Sequence, residues 1–439
     1  MDDAGRSAEV LDQQFRFLMK EDVSRGGWTA FLKPVRALAH GNFLPRFGWW
    51  LLRRKWMRRI LAHYVRYMSP PDPRHVVFYS FSGDVDCNPK YIALELLRRR
   101  PDLKLTWILG SFSFSRRKAH LPVGVRAVQL GTVAAFRAAA AAGTWVENSR
   151  LFMAGGMPPK REGQHYLNTW HGSLGIKRLD RCGGRTRHVA AGVARAVDAV
   201  LTNSMFEDEV FEGSMFPGVN KARIGHPRND VFFWPEGRKA ELRERVRDEL
   251  GIASDERIAL YAPTFRESSF FAGAAGFDFD GWVNALAHRF GGRWRMVVRL
   301  HPRDARGLSD GLFSLPNSVV NASDYVDMQE LLVAADVGIT DYSSWIFDYI
   351  LGGKPGFIFA PDRARFDNLR GLYYPLEDTP FPVAETEATL CANIVDFDAE
   401  KYAYDRKAFL KDKGCVEDGH SSERVVDLIV EFLNRRWPE

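Results

Sequence analysis

The chain has 439 residues, 46% of them hydrophobic and 26% charged, which excludes a disordered tail or a fibre and makes two domains the natural expectation. Its 61 basic and 55 acidic residues give +6, yet residues 23–71 hold ten Lys/Arg and no acid, and the remaining 51 and 55 balance to −4. A uniformly basic nucleic-acid binder is disfavoured on that ground, and no nucleic-acid partner is expected.

The first residues, MDDAGRSAEVLDQQ, are acidic and lack the apolar region of a secretory signal. The stretch from Phe47 to Met68 reads as a helix stopped by Pro70 and Pro71, with Trp49, Leu52, Trp56, Ile60, Tyr64 and Tyr67 at helical spacing. An aromatic stripe with cationic flanks suits a helix lying in the headgroup plane of an anionic membrane, through Trp49, Trp50, Arg53, Arg54, Lys55, Trp56, Arg58 and Arg59. Packing on its own domain, with the arginines merely solvated, is the alternative. No run of about 18 uncharged apolar residues occurs, so no transmembrane helix is expected. The cysteines, Cys87, Cys182, Cys391 and Cys415, lie far apart and point to reduced thiols rather than a disulfide framework or a zinc site. The expected location is peripheral, at the cytoplasmic face of the cell membrane.

From His75 onward short apolar strands alternate with helical segments, the pattern of a doubly wound α/β protein. His75–Phe81, Leu103–Leu109, Trp145–Glu147, His165–Thr169 and Ala199–Thr202 form one strand series; Arg257–Ala262, Met296–Leu300, Ser318–Asn321, Val337–Thr340 and Gly356–Phe359 form a second. Asn88 reads as the N-cap of a helix whose first position is Pro89, Ser204 with Glu207 as a capping box closed by Gly213, and Asp327 with Glu330 as another. The apolar series breaks at Trp234-Pro235-Glu236-Gly237. The expected organisation is a basic segment over 1–72, a Rossmann-like domain over 73–235 carrying the acceptor side, and a second over 236–439 that binds the donor and includes the terminal helix. Two such units facing each other make a GT-B-like architecture. Neither GxGxxG nor GxxxxGK[ST] is present, and no cofactor is expected.

Four polar clusters fall at strand ends, where open α/β sheets place ligands. Trp170-His171-Gly172-Ser173 offers a histidine with the pKa range of a general base, or a structural loop histidine. In Ala262-Pro263-Thr264-Phe265-Arg266, Thr264 and Arg266 suit phosphate oxygens, or Arg266 pairs with Glu267. Arg299 and His301, two apart in an extended strand, would face one ligand together, or bond the domain's own carboxylates. Thr340-Asp341-Tyr342-Ser343-Ser344 sits between a strand and a helix, and fits phosphate binding and ordinary helix capping alike. Asp84-Val85-Asp86 is read as a turn, with no metal assigned. Arg228 lies in the turn Gly225–Asp230, within reach of a bridging phosphate or in solvent.

The ordered motifs NPKYIALELL, NTWHGSLGIKRLD, IGHPRND, YAPTFRE, VVRLHPR and ITDYSSWIFDYILGGKP, spread over residues 76–362, resemble the CDP-glycerol glycerophosphotransferase family of teichoic-acid and capsule polymer synthesis. The resemblance implies a GT-B-like, membrane-peripheral enzyme that moves glycerol phosphate from CDP-glycerol to a hydroxyl of a lipid-linked glycan or polyol-phosphate acceptor, releasing CMP. It places the catalytic pair on His171 and His301, and donor contacts on Trp170, Gly172, Ser173, Leu174, Arg228, Pro263, Thr264, Arg299, Ser343, Ser344 and Asp348. Ser173-Leu174 stands where the family typically has Thr-Pro, a change that leaves the loop after His171 less rigid. A CDP-ribitol phosphotransferase, a GT-B nucleotide-sugar glycosyltransferase and a non-catalytic binder of anionic lipid or polymer are the competing readings.

Overall fold

The computed structural model describes Ala62 and residues 64–434, apart from 82, 112–113, 155–156, 176, 180–191, 193–194, 265–276, 302–303, 306–313 and 370. The membrane residues Trp49, Trp50, Arg53, Arg54, Lys55, Trp56, Arg58 and Arg59, and also Arg266, lie outside the described residues. Of the expected aromatic helix, Ala62 and 64–68 are described; Val65 packs with Ala62 against Phe136 and Ala140.

Seven strands build the first sheet: β1 (Asp72–Tyr79), β2 (Lys104–Leu109), β3 (Arg126–Gln129), β4 (Ala142–Glu147), β5 (His165–Asn168), β6 (Ala199–Thr202) and β7 (Asn220–Arg223). All pair parallel, in the order β3-β2-β1-β4-β5-β6-β7. In β1 the alternation of side chains sends Val76 and Phe78 to one apolar layer, Val77 and Tyr79 to the other. Both faces are therefore covered, as a parallel sheet requires.

The second sheet holds β8 (Glu256–Tyr261), β9 (Arg293–Val298), β10 (Val319–Asn321), β11 (Val337–Thr340), β12 (Gly356–Phe359) and β13 (Val383–Ala384), in the order β10-β9-β8-β11-β12-β13. Each sheet thus reverses its winding once, between β1 and β4 in the first and between β8 and β11 in the second. Crevices at such reversals, beyond the strands' carboxyl ends, are where this architecture binds ligands. Those ends face each other here. The Lys177 ammonium after β5 donates to Thr264 Oγ1 after β8 at 3.4 Å, and Arg116 after β2 donates to the Asp324 carbonyl after β10 at 3.1 Å. This is the expected α/β, GT-B-like arrangement.

Three local readings need correction. The helix Cys87–Arg99 is capped at Asp86, and Asn88 sits inside its first turn with its amide turned to the neighbouring loop. Strand β9 ends at Val298, so strand alternation does not extend to Arg299 and His301; the His301 carbonyl instead accepts the Asp304 and Ala305 amides in a turn. The terminal helix, Ser421–Asn434, belongs to the first domain: Val425, Val426, Ile429 and Phe432 are buried with Val76, Phe78 and Leu201. Burial of each side chain contributes roughly 1.5–3 kcal/mol, enough to fix the helix there. The second domain accordingly does not run to residue 439. The chain crosses back near Cys415, where Val416 N donates to the Asn203 carbonyl at 2.9 Å. The capping serine at 204 and Gly213 at the other end of that helix stand as read.

Candidate active site between the two sheets

His171 leaves the end of β5 beside the first sheet's reversal. Its Nδ1 is 2.7 Å from the backbone carbonyl of Asn148, one residue past β4. A carbonyl only accepts, so Nδ1 carries the proton and Nε2 is the unprotonated nitrogen of the neutral ring. The ring packs on Trp170 and Phe81, at 4.7 and 5.2 Å between centroids, which shield it from water although the residue as a whole is exposed. Desolvation, then the charges of Arg228, Lys177 and Arg150, hold the imidazole below its ordinary 6.5, at about 4, while the Asn148 carbonyl pulls the other way. The group is a neutral base over the whole physiological range.

The loop holding it is under backbone strain. Among the described residues three non-glycines have positive φ, Cys87, Trp170 and Leu174, and all stand at this junction. Such conformations cost roughly 1–3 kcal/mol each and persist only where their surroundings over-determine them. Here the surroundings can be named. Asn88, fully buried, donates to the carbonyls of Thr169 (2.7 Å) and Trp170 (3.2 Å) and accepts the Arg228 amide at 3.1 Å. Asn203 donates to Ser173 Oγ at 2.8 Å, and the Tyr374 hydroxyl donates to the Leu174 carbonyl at 2.5 Å. The Leu174 side chain enters the second domain's core. The rigidity expected to be lost with the missing proline is supplied from outside the loop. A methyl at Gly172 would lie 2.7 Å from the Trp170 indole nitrogen, so only glycine fits between them.

Arg228 is neither in solvent nor near it: it is 3% exposed. Its Nε and Nη2 reach Asp348 at 2.9 and 3.3 Å, and Nη2 donates to the Gly172 carbonyl at 2.6 Å. Burial alone would lower its pKa, but Asp348 and then Cys87 more than offset that and hold it above the ordinary value. Asn229 and Gln329 also donate to Asp348, at 3.0 and 3.2 Å. This network ties the first domain's loop to the second domain, and pairs two residues expected to meet the donor.

On the second sheet, Thr264 N donates to both oxygens of Asp341, and the Trp345 indole donates to the Ala262 carbonyl at 2.6 Å, which fixes Pro263 and Thr264 at the end of β8. Ser343 and Ser344 are half-buried at the start of the short helix Trp345–Tyr349; the Ser344 side chain does not cap it. A Cβ on Gly175 would come within 3.1 Å of the Ser344 side chain, so the histidine loop and the serine turn are neighbours. Arg299 donates to the carbonyls of Tyr325 and Val326; desolvation lowers its pKa, and the acids Asp86, Asp327 and Asp84 oppose this. Of the two DxD carboxylates, Asp84 pairs with Arg117 at 3.0 Å and Asp86 accepts from the Ser80 hydroxyl. The structure thus brings His171, Gly172, Arg228, Thr264, Ser344 and Asp348 into one contiguous region, with Arg299 and His301 at the end of β9. Sequence reasoning missed the residues that orient these: Asn88, Asn148, Lys177 and Asn203. Their signal was placement beside motif residues, which composition does not reveal.

Comparison with known proteins bears on this geometry. The family model described as CDP-glycerol:poly(glycerophosphate) glycerophosphotransferase matches residues 61–431. A teichoic acid poly(glycerol phosphate) polymerase from Staphylococcus epidermidis is 30% identical over 86% of this chain and 53% of its own length. One from Bacillus subtilis is 28% identical over 82% of this chain and 49% of its own. The chain spans about half the length of these curated relatives, but 93% of a teichoic acid glycerol-phosphate transferase from Staphylococcus aureus, at 25% identity. Among solved structures, the wall teichoic acid polymerase TagF, in a variant soaked with CDPG, superimposes with a TM-score of 0.74 at 26% identity, over 89% of this chain and 96% of that one. With motifs in order, a shared two-sheet fold and a family match that spans both domains, the chain belongs to the CDP-glycerol:poly(glycerophosphate) glycerophosphotransferase family.

Proposed function

We propose that the chain transfers glycerol phosphate from CDP-glycerol to a hydroxyl of a lipid-linked or polymer acceptor in teichoic-acid or capsule-type polymer synthesis, releasing CMP. The observation that carries this reading is the bond from His171 Nδ1 to the Asn148 carbonyl, which leaves Nε2 as the unprotonated nitrogen of an exposed residue beyond the carboxyl end of β5. In this mechanism Nε2 takes the acceptor's hydroxyl proton, and the resulting oxygen bonds to the glycerol-bearing phosphorus. The bond from that phosphorus to the CMP oxygen breaks, and CMP leaves with the electron pair. Arg299, His301 and the hydroxyls of Ser343 and Ser344 would stabilise the charge that moves onto CMP, positioning and charge neutralisation supplying most of the rate. Asp348 and Arg228 keep the loop under the reacting phosphate in register with the second domain.

Glycerol is favoured over ribitol because the glycerol-phosphate relatives match over 82–86% of the chain, whereas the ribitol-phosphate proteins match over 48–62%. The test is incubation with CDP-glycerol or CDP-ribitol and a lipid-linked acceptor, following CMP and product length. CMP release and product growth with CDP-glycerol are expected; a nucleoside diphosphate released from a nucleotide sugar instead would overturn the reading.

The membrane assignment is part of the same proposal. No helix among the described residues is long and apolar enough to cross a bilayer, and the basic aromatic segment before residue 62 suits surface binding at roughly 1 kcal/mol per cation. Full-length protein is expected to sediment with anionic vesicles, and replacement of Arg53, Arg54, Lys55, Arg58 and Arg59 by glutamine is expected to release it. Undiminished sedimentation of that variant would sink the assignment.

A further inference from the structure

We propose that Arg150, together with the open face of Phe81, forms an acceptor subsite beside His171 that takes an anionic phosphodiester next to the terminal hydroxyl of a polyol-phosphate chain. The inference rests on the transferase reading above and names the acceptor class that the site selects.

Asn148 organises this side of the site. Its carbonyl holds His171, its Oδ1 accepts the Phe81 amide at 2.7 Å, and its Nδ2 donates to Ser80 Oγ at 3.3 Å. Arg150 follows two residues later in a turn stapled by the buried Glu147 carboxylate, which accepts from Ser149 Oγ at 2.9 Å on one side of it and from Leu151 N at 2.8 Å on the other. The arginine's backbone is thereby fixed relative to the imidazole.

The three cations whose charge reaches His171 differ in what already occupies them. Arg228 is buried and matched by Asp348. Lys177 bonds Thr264, on the second sheet's side. Arg150 is exposed and has no carboxylate, hydrogen-bond or ring partner among the described residues. An exposed arginine alone is ordinary; one fixed two residues from the atom that orients a base is placed for a ligand. Phe81 adds an apolar surface, 61% exposed and stacked against the same imidazole.

A polyol-phosphate end matches this arrangement group for group. Its phosphodiester suits a planar guanidinium, its carbons suit an aromatic face, and its terminal hydroxyl reaches Nε2. In the proposed mechanism the donor's phosphates lie on the opposite sheet, at Ser343, Ser344 and Arg299, so the two anions do not compete for one cation.

The test uses the full chain, CDP-glycerol and two acceptors that end in the same glyceryl hydroxyl: a short glycerol phosphate oligomer, and a neutral glycan carrying glycerol without phosphate. Arg150→Gln is expected to raise KM for the oligomer about tenfold, the worth of one charge-assisted hydrogen bond. KM for CDP-glycerol and for the neutral acceptor stays unchanged, and Arg150→Lys restores part of the loss. Calorimetric titration of the oligomer into parent and variant reads the same factor without turnover. Absence of CMP release by the parent with either acceptor defeats the transferase reading, and the titration still decides the subsite. Unchanged oligomer affinity, equal loss with both acceptors, or a raised KM for CDP-glycerol each overturns the proposal.

Discussion

His171→Ala is expected to lower kcat by about a thousandfold or more, within the 10²–10⁴ range of a positioned general base. CDP-glycerol affinity and the denaturant midpoint should stay close to the parent's, because the residue lies outside the apolar cores and its ring makes one hydrogen bond, to a carbonyl that water can satisfy. The parent's pH profile carries the same signature. Only the neutral ring accepts a proton, and its pKa lies below 6.5, so kcat/KM should hold flat from neutral pH and fall on acidification toward about 4. Wild-type turnover in the alanine variant would remove His171 from its role, whereas an acid limb centred at 6.5 would show that the ring is not desolvated.

Arg228→Ala is expected to destabilise the protein by about 3 kcal/mol, the lower end of the 3–5 kcal/mol seen when one member of a buried pair is removed. The lower end applies because Asn229 and Gln329 still donate to the Asp348 carboxylate that is left behind. Replacing both partners, Arg228→Leu with Asp348→Leu, should recover much of that stability, since no buried charge remains uncompensated. Transfer should stay low in the double variant, because the Gly172 carbonyl has lost its donor and the strained loop its brace. Urea midpoints with parallel CMP-release assays separate the two effects, and a single variant as stable as the parent would show that the pair does not hold the domains together.

Much of this was legible in the sequence, and the exceptions share a cause. The central strands of both sheets were found because their apolar runs are covered on both faces. Strands β3, β7 and β13 go undetected because they are short and carry too few apolar residues; Asn220-Lys221-Ala222-Arg223 offers no alternation to detect, whereas the equally short edge strand β10 is marked by Val319-Val320. Asn-Pro is a local capping signal at Asn88, but the amide there is committed to Thr169 and Trp170, 81 and 82 residues away in sequence. The motifs gave His171, Arg228 and Ser344 as site residues without showing that Arg228 would spend its charge on Asp348. Partner choice across a fold is a property of tertiary contact, and one-dimensional spacing does not encode it.

The allegiance of the last helix also sets an order of events during synthesis. Ser421–Asn434 covers a face of the first sheet that begins at Asp72, so that domain cannot close its core until the helix that follows both sheets has left the ribosome. The second domain, whose strands fall between Glu256 and Ala384 and whose core takes in Tyr402 and Phe409, is complete just before that helix emerges. The first sheet is therefore made before the second and finished after it, its apolar face open to chaperones and to mispairing while the later-made domain folds.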